Sequence, residues 1–350
     1  MKGKVDRSTE GAAHVPLEPL EDTLGAKALF AALQSNGVPR FNPFKAYATF
    51  HKVFLMNLRN TSPVWKSALI VYYDLEFSGN IRLDFGRHCS IHEIAAQTKQ
   101  DRFFCRVNPY LTKEKVEAPV DPKYHMPSRQ ELEEMKALPF PKAYDLFVSF
   151  LYSLLAKRKK EWVCLVSHNG FRGDKIVLEH ETAYHGLPAM PFFFFDSLLY
   201  IREVNPGLPS YSLQNIYKEL FNTAYEAHSA YTDTEALQKI VKKIKHRFHG
   251  VLYPMHTIPW RNVVGIGYHT EQSFLQNGLA DLTALFVACY GNEELTKRFL
   301  HTRGIALTEK TLGNIFHWYK LAPTAIERQK QYALPADSPT PSTPSSPSTQ

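Results

Sequence analysis

Asp74 and Glu76 stand two residues apart in VYYDLEFSG, Val71 to Gly79, within a run from Ala68 onward otherwise built of Val, Ile, Tyr and Leu. Such a run reads as a buried strand, and on a strand positions i and i+2 share a face. Two carboxylates aimed together out of an apolar strand repel each other and resist ionising unless a cation sits between them, and a divalent metal is the usual answer. An edge strand whose acids simply face water is the ordinary alternative, so the pair needs company from elsewhere. Asp174 is one candidate. The strand-like Trp162 to Ser167 delivers the chain into His168-Asn-Gly170, and Asp174 then begins a helix, where an acid is also an ordinary cap. His228 and Asp233 belong to AHSAYTD, and their spacing of five places them about 140° apart on a helix of 3.6 residues per turn. They cannot share a helical face. To meet at one site, His228 must sit in the loop before the helix and Asp233 in its first turns.

The elements that must position these residues alternate between strand and helix, which predicts an α/β sheet with helices on its faces. After the Gly79-Asn80 turn, Ser90 to Thr98 and Arg102 to Val107 read as two further strands of a meander. Ser128-Arg-Gln-Glu131 is a capping-box start to a short helix reaching Ala137. Helices are expected over Ala143 to Ala156, about Gly173 to Tyr184, Tyr211 to Phe221 and Ala230 to Ile244, with Pro191 to Ser197 as a buried strand continuing into a helix. From Gly250 the pattern turns helical. Tyr268 to Gln276 and the stretch after Gly278 look like a hairpin of short helices, followed by Glu293 to His301 and Lys310 to Lys320. Ahead of the first strand lie a helix-forming Leu24 to Leu33 and the aromatic-rich Phe41 to Trp65, read as a layer on the core. The division expected is an N-terminal appendage over 1–65, a catalytic-type domain over 66–248, a helical C-terminal region over 249–332 and a disordered Pro/Ser/Thr tail over 333–350.

The chain of 350 residues has apolar content for a real core and carries 41 Lys and Arg against 34 acids, a net charge of +7. That excess suits a polyanionic partner and equally serves solubility. Cys89, Cys105, Cys164 and Cys289 show no C-x-x-C spacing, so neither a zinc site nor a disulfide framework is indicated and a reducing, intracellular setting is expected, in nucleus or cytoplasm. No stretch approaches the length of a membrane span.

The ordered set Asp74-x-Glu76, His168-Asn-Gly170 to Asp174 and His228 to Asp233 resembles the three motifs of the DEDDh 3′–5′ exonucleases. SIHEIAAQT resembles that family's second strand, FFDSLLYIR its segment after the second motif, and YSLQNIYKEL the helix before the third. The resemblance covers Ala68 to Ile244. It implies a ribonuclease H-like fold: a mixed five-stranded sheet flanked by helices, here with the appendage before it and an all-α region after it. It implies two divalent ions, Mg²⁺ or Mn²⁺, held by Asp74, Glu76, Asp174 and Asp233, hard cations that favour oxygen ligands. His228 would deprotonate the attacking water, and DNA or RNA 3′ ends would yield nucleoside 5′-monophosphates. Leu75, Phe77, Ser78, His168, Asn169 and Arg172 would lie against the substrate. The domain together with Val251-Leu-Tyr-Pro254 also resembles the exonuclease-like C-terminal region of the promyelocytic leukaemia protein, which lacks the acids retained here. A non-catalytic nucleic-acid-binding or interaction scaffold on the same fold is the alternative.

Two departures stand out against the family pattern. Gly173 replaces the Phe usual before the second-motif Asp, and Phe77-Ser78 replace two Thr. Weaker motifs read as structure: His180 to His185 has the wrong spacing for a zinc-protease helix, and His92-Glu93 occupies opposite faces of a strand. Val263 to Gly267 with the following helix resembles a helix-hairpin-helix element, fit for phosphate contact or for packing. Lys239 to Arg247 could track a nucleic-acid backbone or be a solvated helix face.

Overall fold

The computed structural model describes residues 63–81, 87–118, 126–187, 192–244, 248–249, 251–323 and 325. The expected helix Leu24 to Leu33, residues 41–62 of the aromatic-rich stretch, residues 245–247 of the basic run and the Pro/Ser/Thr tail lie outside these.

The sheet grows around β1, Ala68–Ser78, whose alternating side chains serve two different layers. Leu69, Val71, Tyr73 and Leu75 enter one core, while Ile70 and Tyr72 pack against the other. Asp74 and Glu76 continue this second row toward the strand's C-terminal end. On one side β1 pairs antiparallel with β2, Ser90–Gln97, which pairs antiparallel with β3, Arg102–Arg106. On the other it runs parallel to β4, Trp162–Ser167, and β4 runs parallel to β5, Phe192–Asp196. WVCLVS and FFFFD are buried at every position, because helices cover both faces of these parallel strands.

The sheet order is β3-β2-β1-β4-β5-β6, so the expected α/β architecture of a mixed sheet flanked by helices is present with one strand more than the five anticipated. The sixth, β6, is Tyr253–Pro254, antiparallel to β5, and it comes from the region expected to be all helix. Its neighbours explain the difference. Leu252 turns into one core and Val251, Tyr253 and Met255 into the other, the two-sided burial of a strand.

The helices form where the sequence places caps. Both bonds of the Ser128–Glu131 capping box are made at α1, which we number after the short N-terminal turn Pro63–Ser67 and which spans Arg129–Glu134. The next helix, α2, spans Phe140–Arg158 and starts before the expected Ala143, since a proline in the first turn costs no hydrogen bond. It packs Phe147 and Leu151 on the first core, where α3 (Asp174–Tyr184) adds Val177 and Leu178. On the second core lie α4 (Ser197–Val204), α5 (Leu213–Phe221) and α6 (Ala230–Ile244), the last burying Leu237 and Ile240.

The C-terminal helices α7 (Tyr268–Gln276), α8 (Leu282–Ala288), α9 (Glu293–Thr302) and α10 (Glu309–Tyr319) enclose a third core. Within it Trp260 and Phe274 stack at 3.8 Å. The expected hairpin of α7 and α8 is present. Gly265 (φ +98) precedes it, and a side chain there would strike Thr311 Oγ1 at 2.4 Å, so this glycine is a packing requirement rather than an open phosphate cradle. Polar bonds fasten the start of this region to α3. Lys175, only 1% exposed, donates to the Thr257 carbonyl at 2.8 Å and pairs with Glu179 at 2.5 Å, while Glu179 also accepts the His256 N–H.

Removing one partner of a buried pair leaves the other charge uncompensated. Lys175→Met is therefore expected to cost about 3–5 kcal/mol, read as a lowered denaturant midpoint; an unchanged midpoint would show that the pair does not secure the C-terminal region.

Candidate metal centre

Three carboxylates from two elements converge at the C-terminal end of β1. Oxygen atoms of Asp74, Glu76 and Asp233 all lie within 4.8 Å of one another. The strand supplies the first two on one face; α6, packed across β1 and β2, supplies the third from its first turn. Asp233 is doubly held. Its Oδ1 accepts the Tyr225 hydroxyl at 2.6 Å, and its Oδ2 accepts the His228 backbone N–H at 3.2 Å. The second bond folds the loop back onto the helix, and His228 takes a left-handed φ of +71 to allow it. His228 thus sits in the loop before the helix, exposed, with Asp233 below it. Its Nε2 lies 3.0 Å from the Gln214 amide nitrogen. The contact joins the His228 ring to α5.

Asp174 is buried beside this group. Its Oδ1 accepts the Leu75 N–H at 3.1 Å, which ties the start of α3 to the strand between the two acids. It stands outside the set of three but acts on Asp74 electrostatically.

Burial is the leading cause of every proton-affinity shift here. It pushes Asp74 well above the carboxylate range, reinforced by Asp174, Asp233, Glu76 and Glu93. It pushes Glu76 up to about 8, reinforced by Asp233 and Glu93, and Asp174 up to about 7 against the Leu75 bond. Asp233 is also raised, opposed by its Tyr225 bond. Crowded, partly dehydrated carboxylates with oxygen-only donors fit a hard divalent cation of the Mg²⁺ or Mn²⁺ kind.

A buried carboxylate of another kind shapes the neighbouring turn. Asp196, at the end of β5 and paired with Ser167, accepts the N–H groups of Asn169 (2.9 Å), Phe171 (3.2 Å) and Leu198 (2.9 Å). Burial holds it up at about 6 despite these bonds. Gly170 is fixed by contact: a Cβ there would lie 1.6 Å from Ser167 Oγ.

The residues expected against the substrate divide into two groups. Asn169 and Arg172 are exposed in the turn that leads to Asp174, and Phe77 is half-buried. Leu75 and Ser78 are buried, at 3% and 0% exposure. His168 is half-buried, with both ring nitrogens engaged by the surrounding structure. Its Nε2 donates to the Tyr211 carbonyl at 2.8 Å and its Nδ1 accepts from Ser197 at 3.1 Å, and burial lowers it to about 4. Arg172 donates to the Asn262 carbonyl at 3.3 Å.

Sequence reasoning missed four contributors. Tyr225 carries no motif signature, and Asp196 at the end of β5 and Gln214 in α5 lie in segments read only for their overall resemblance, not as site residues. Glu93, read as a structural strand residue, stands directly opposite Glu76 in the β1–β2 pairing. Its signal was the register, which a bulge between Glu76 and Phe77 shifts.

No family model matches the sequence, and no curated protein does. Among solved structures, the nuclease domain of 3′hExo, a DEDDh family member, bound to rAMP is 14% identical with a TM-score of 0.39, covering 49% of this chain and 88% of that one. A 3′-exonuclease recognising the histone mRNA stem-loop is 12% identical at a TM-score of 0.39, covering 72% and 81%. E. coli Exonuclease I with a dA16 oligonucleotide is 15% identical at 0.33, covering 66% and 45%.

A carboxyl group with a folded pKa above its unfolded value binds more protons folded than unfolded between the two. For Glu76 and Asp174, raised to about 8 and about 7, stability should therefore fall as pH rises from about 4 to about 8. In EDTA the melting temperature is expected to drop across this window, and Mn²⁺ to raise it more at the alkaline end, where fewer protons compete. Equal Mn²⁺ stabilisation at both ends would count against these acids as the ligands.

Proposed function

We propose that the chain is a metal-dependent 3′→5′ exonuclease that hydrolyses phosphodiester bonds of DNA or RNA and releases nucleoside 5′-monophosphates. The observation that carries this reading is the convergence of Asp74, Glu76 and Asp233 within 4.8 Å, with Asp174 bonded to the strand between the first two. Buried acids so close cost free energy unless a cation shares them, and a scaffold that only bound or displayed a surface would have no use for them.

Asp74, Glu76, Asp174 and Asp233 would hold the divalent ions, which when bound stabilise charge on phosphoryl oxygens and lower the pKa of water. His228 would take the proton of the attacking water. Its Nε2 lies 3.0 Å from the Gln214 side chain on the exposed side of the ring, where a water could be held. The left-handed loop presents this ring at the mouth of the acidic group, outside the core. Asn169 and Arg172 at the rim suit phosphate and sugar oxygens, and Phe77 suits a base or ribose face. The 3′→5′ direction follows from the order and content of the DEDDh-like motifs.

Incubation of the chain with 3′-labelled DNA and RNA oligonucleotides in Mg²⁺, Mn²⁺ or EDTA tests the reading. Mononucleotide release that EDTA stops is expected. His228→Ala should lower kcat by about 10²–10⁴, and Asp74→Asn or Asp233→Asn should abolish release. Label released equally by the Asp74→Asn and wild-type chains would refute the site.

A further inference from the structure

The turn carrying His228 and Asp233 must stand at a fixed height above β1 if its groups are to share a site with the strand's acids. Within the turn, Asp233 N–H bonds the Ser229 carbonyl at 3.0 Å, and Asp233 Oδ2 holds the His228 N–H. Both bonds are local and would survive if the whole turn lifted from the sheet. Arg102 of β3 bonds the Tyr231 hydroxyl and pairs with Glu235 at 2.8 Å further along the helix, but at the start of α6 the group that ties the turn to the sheet is Glu93.

Glu93 points from β2 toward the N-terminus of α6, where the first N–H groups have no partner within the helix. Its Oε2 accepts the Ala230 N–H at 3.2 Å, and the Ser229 hydroxyl lies 3.5 Å away as a second donor. The ordinary arrangement at such an end is a Ser or Thr side chain accepting from its own helix; here the serine hydroxyl turns outward to the strand. The other carboxylate oxygen, Oε1, lies 3.7 Å from Arg106 Nε on β3. The two pairings place Glu76, Glu93 and Arg106 side by side across three strands on one face of the sheet. One side chain therefore joins the strand row that contains a candidate metal ligand to the helix end that carries another.

We propose that Glu93 is a positioning residue: by capping α6 from across the sheet it sets the spacing between Asp233 and His228 on one side and Asp74 and Glu76 on the other. This rests on the metal reading above. The role belongs to its reach and its acceptor oxygen. It stands outside the three acids whose oxygens lie within 4.8 Å of one another.

Mn²⁺ is titrated calorimetrically into the full chain and its Glu93 variants, alongside thermal melts and steady-state cleavage of a labelled oligonucleotide. Glu93→Ala is expected to weaken Mn²⁺ binding and lower kcat, each by about 10–100-fold, with KM for the oligonucleotide nearly unchanged. Glu93→Gln keeps an acceptor at full reach and should recover both to within about threefold. Glu93→Asp keeps the charge but falls one methylene short, and should resemble the alanine variant. Wild-type Mn²⁺ affinity in the Ala or Asp variant overturns the proposal, as does a Gln variant as impaired as Ala. Should the Ala variant not melt cooperatively, the Gln and Asp pair decides alone. A wild-type chain that takes up no Mn²⁺ would instead remove the metal reading itself, and is recognised because it precedes any variant.

Discussion

Repulsion between acids that cannot escape into water governs the architecture around the end of β1. Asp74 and Glu76 emerge from a strand whose earlier positions on the same face, Ile70 and Tyr72, are covered by apolar helices. Asp233 is brought against them by α6 and Asp174 by α3. Each of these groups ionises less readily for being there. Hydrogen bonds from the surrounding structure hold the acids in place: Tyr225 and the His228 amide on Asp233, the Leu75 amide on Asp174. Such an arrangement is strained without a cation and relaxed with one, which makes the fold itself a source of affinity.

The same face of the sheet shows how a polar site is grafted onto an apolar frame. The two cores meet the sheet along nearly the whole of β4 and β5, and no polar side chain enters until the strand ends, at Ser167 and Asp196. There the chemistry changes abruptly. Asp196 gathers three backbone N–H groups and so folds the turn leading to Asp174, while Gly170 leaves room for Ser167. The frame supplies stiffness, and the strand ends supply function.

Much of this was legible in the sequence because it depended on local pattern. Trp162–Ser167, Ala230–Ile244 and Tyr268–Gln276 have the boundaries their composition gives, since each is bounded by a clear change from apolar periodicity to turn residues. The positions of His228 before the helix and Asp233 within it followed from the angle their spacing subtends. The features that stayed hidden depended on pairing between distant segments. Glu93 matters because of a bulged register with β1, the His168 ring is held because Tyr211 offers a carbonyl, and β6 exists because β5 has an edge to cover. None of these is a property of a window of sequence.

The short strand β6 bears on how the molecule comes to be made. It is only two residues long, yet it lies along the row of phenylalanines in β5, whose outer backbone groups would otherwise form an open, sticky margin. The partner for that margin arrives later in the chain, after the residues of α4, α5 and α6. During synthesis the sheet is therefore incomplete until the start of the C-terminal region has emerged. The segment just beyond the boundary expected near residue 248 is thus the sheet's own selvedge.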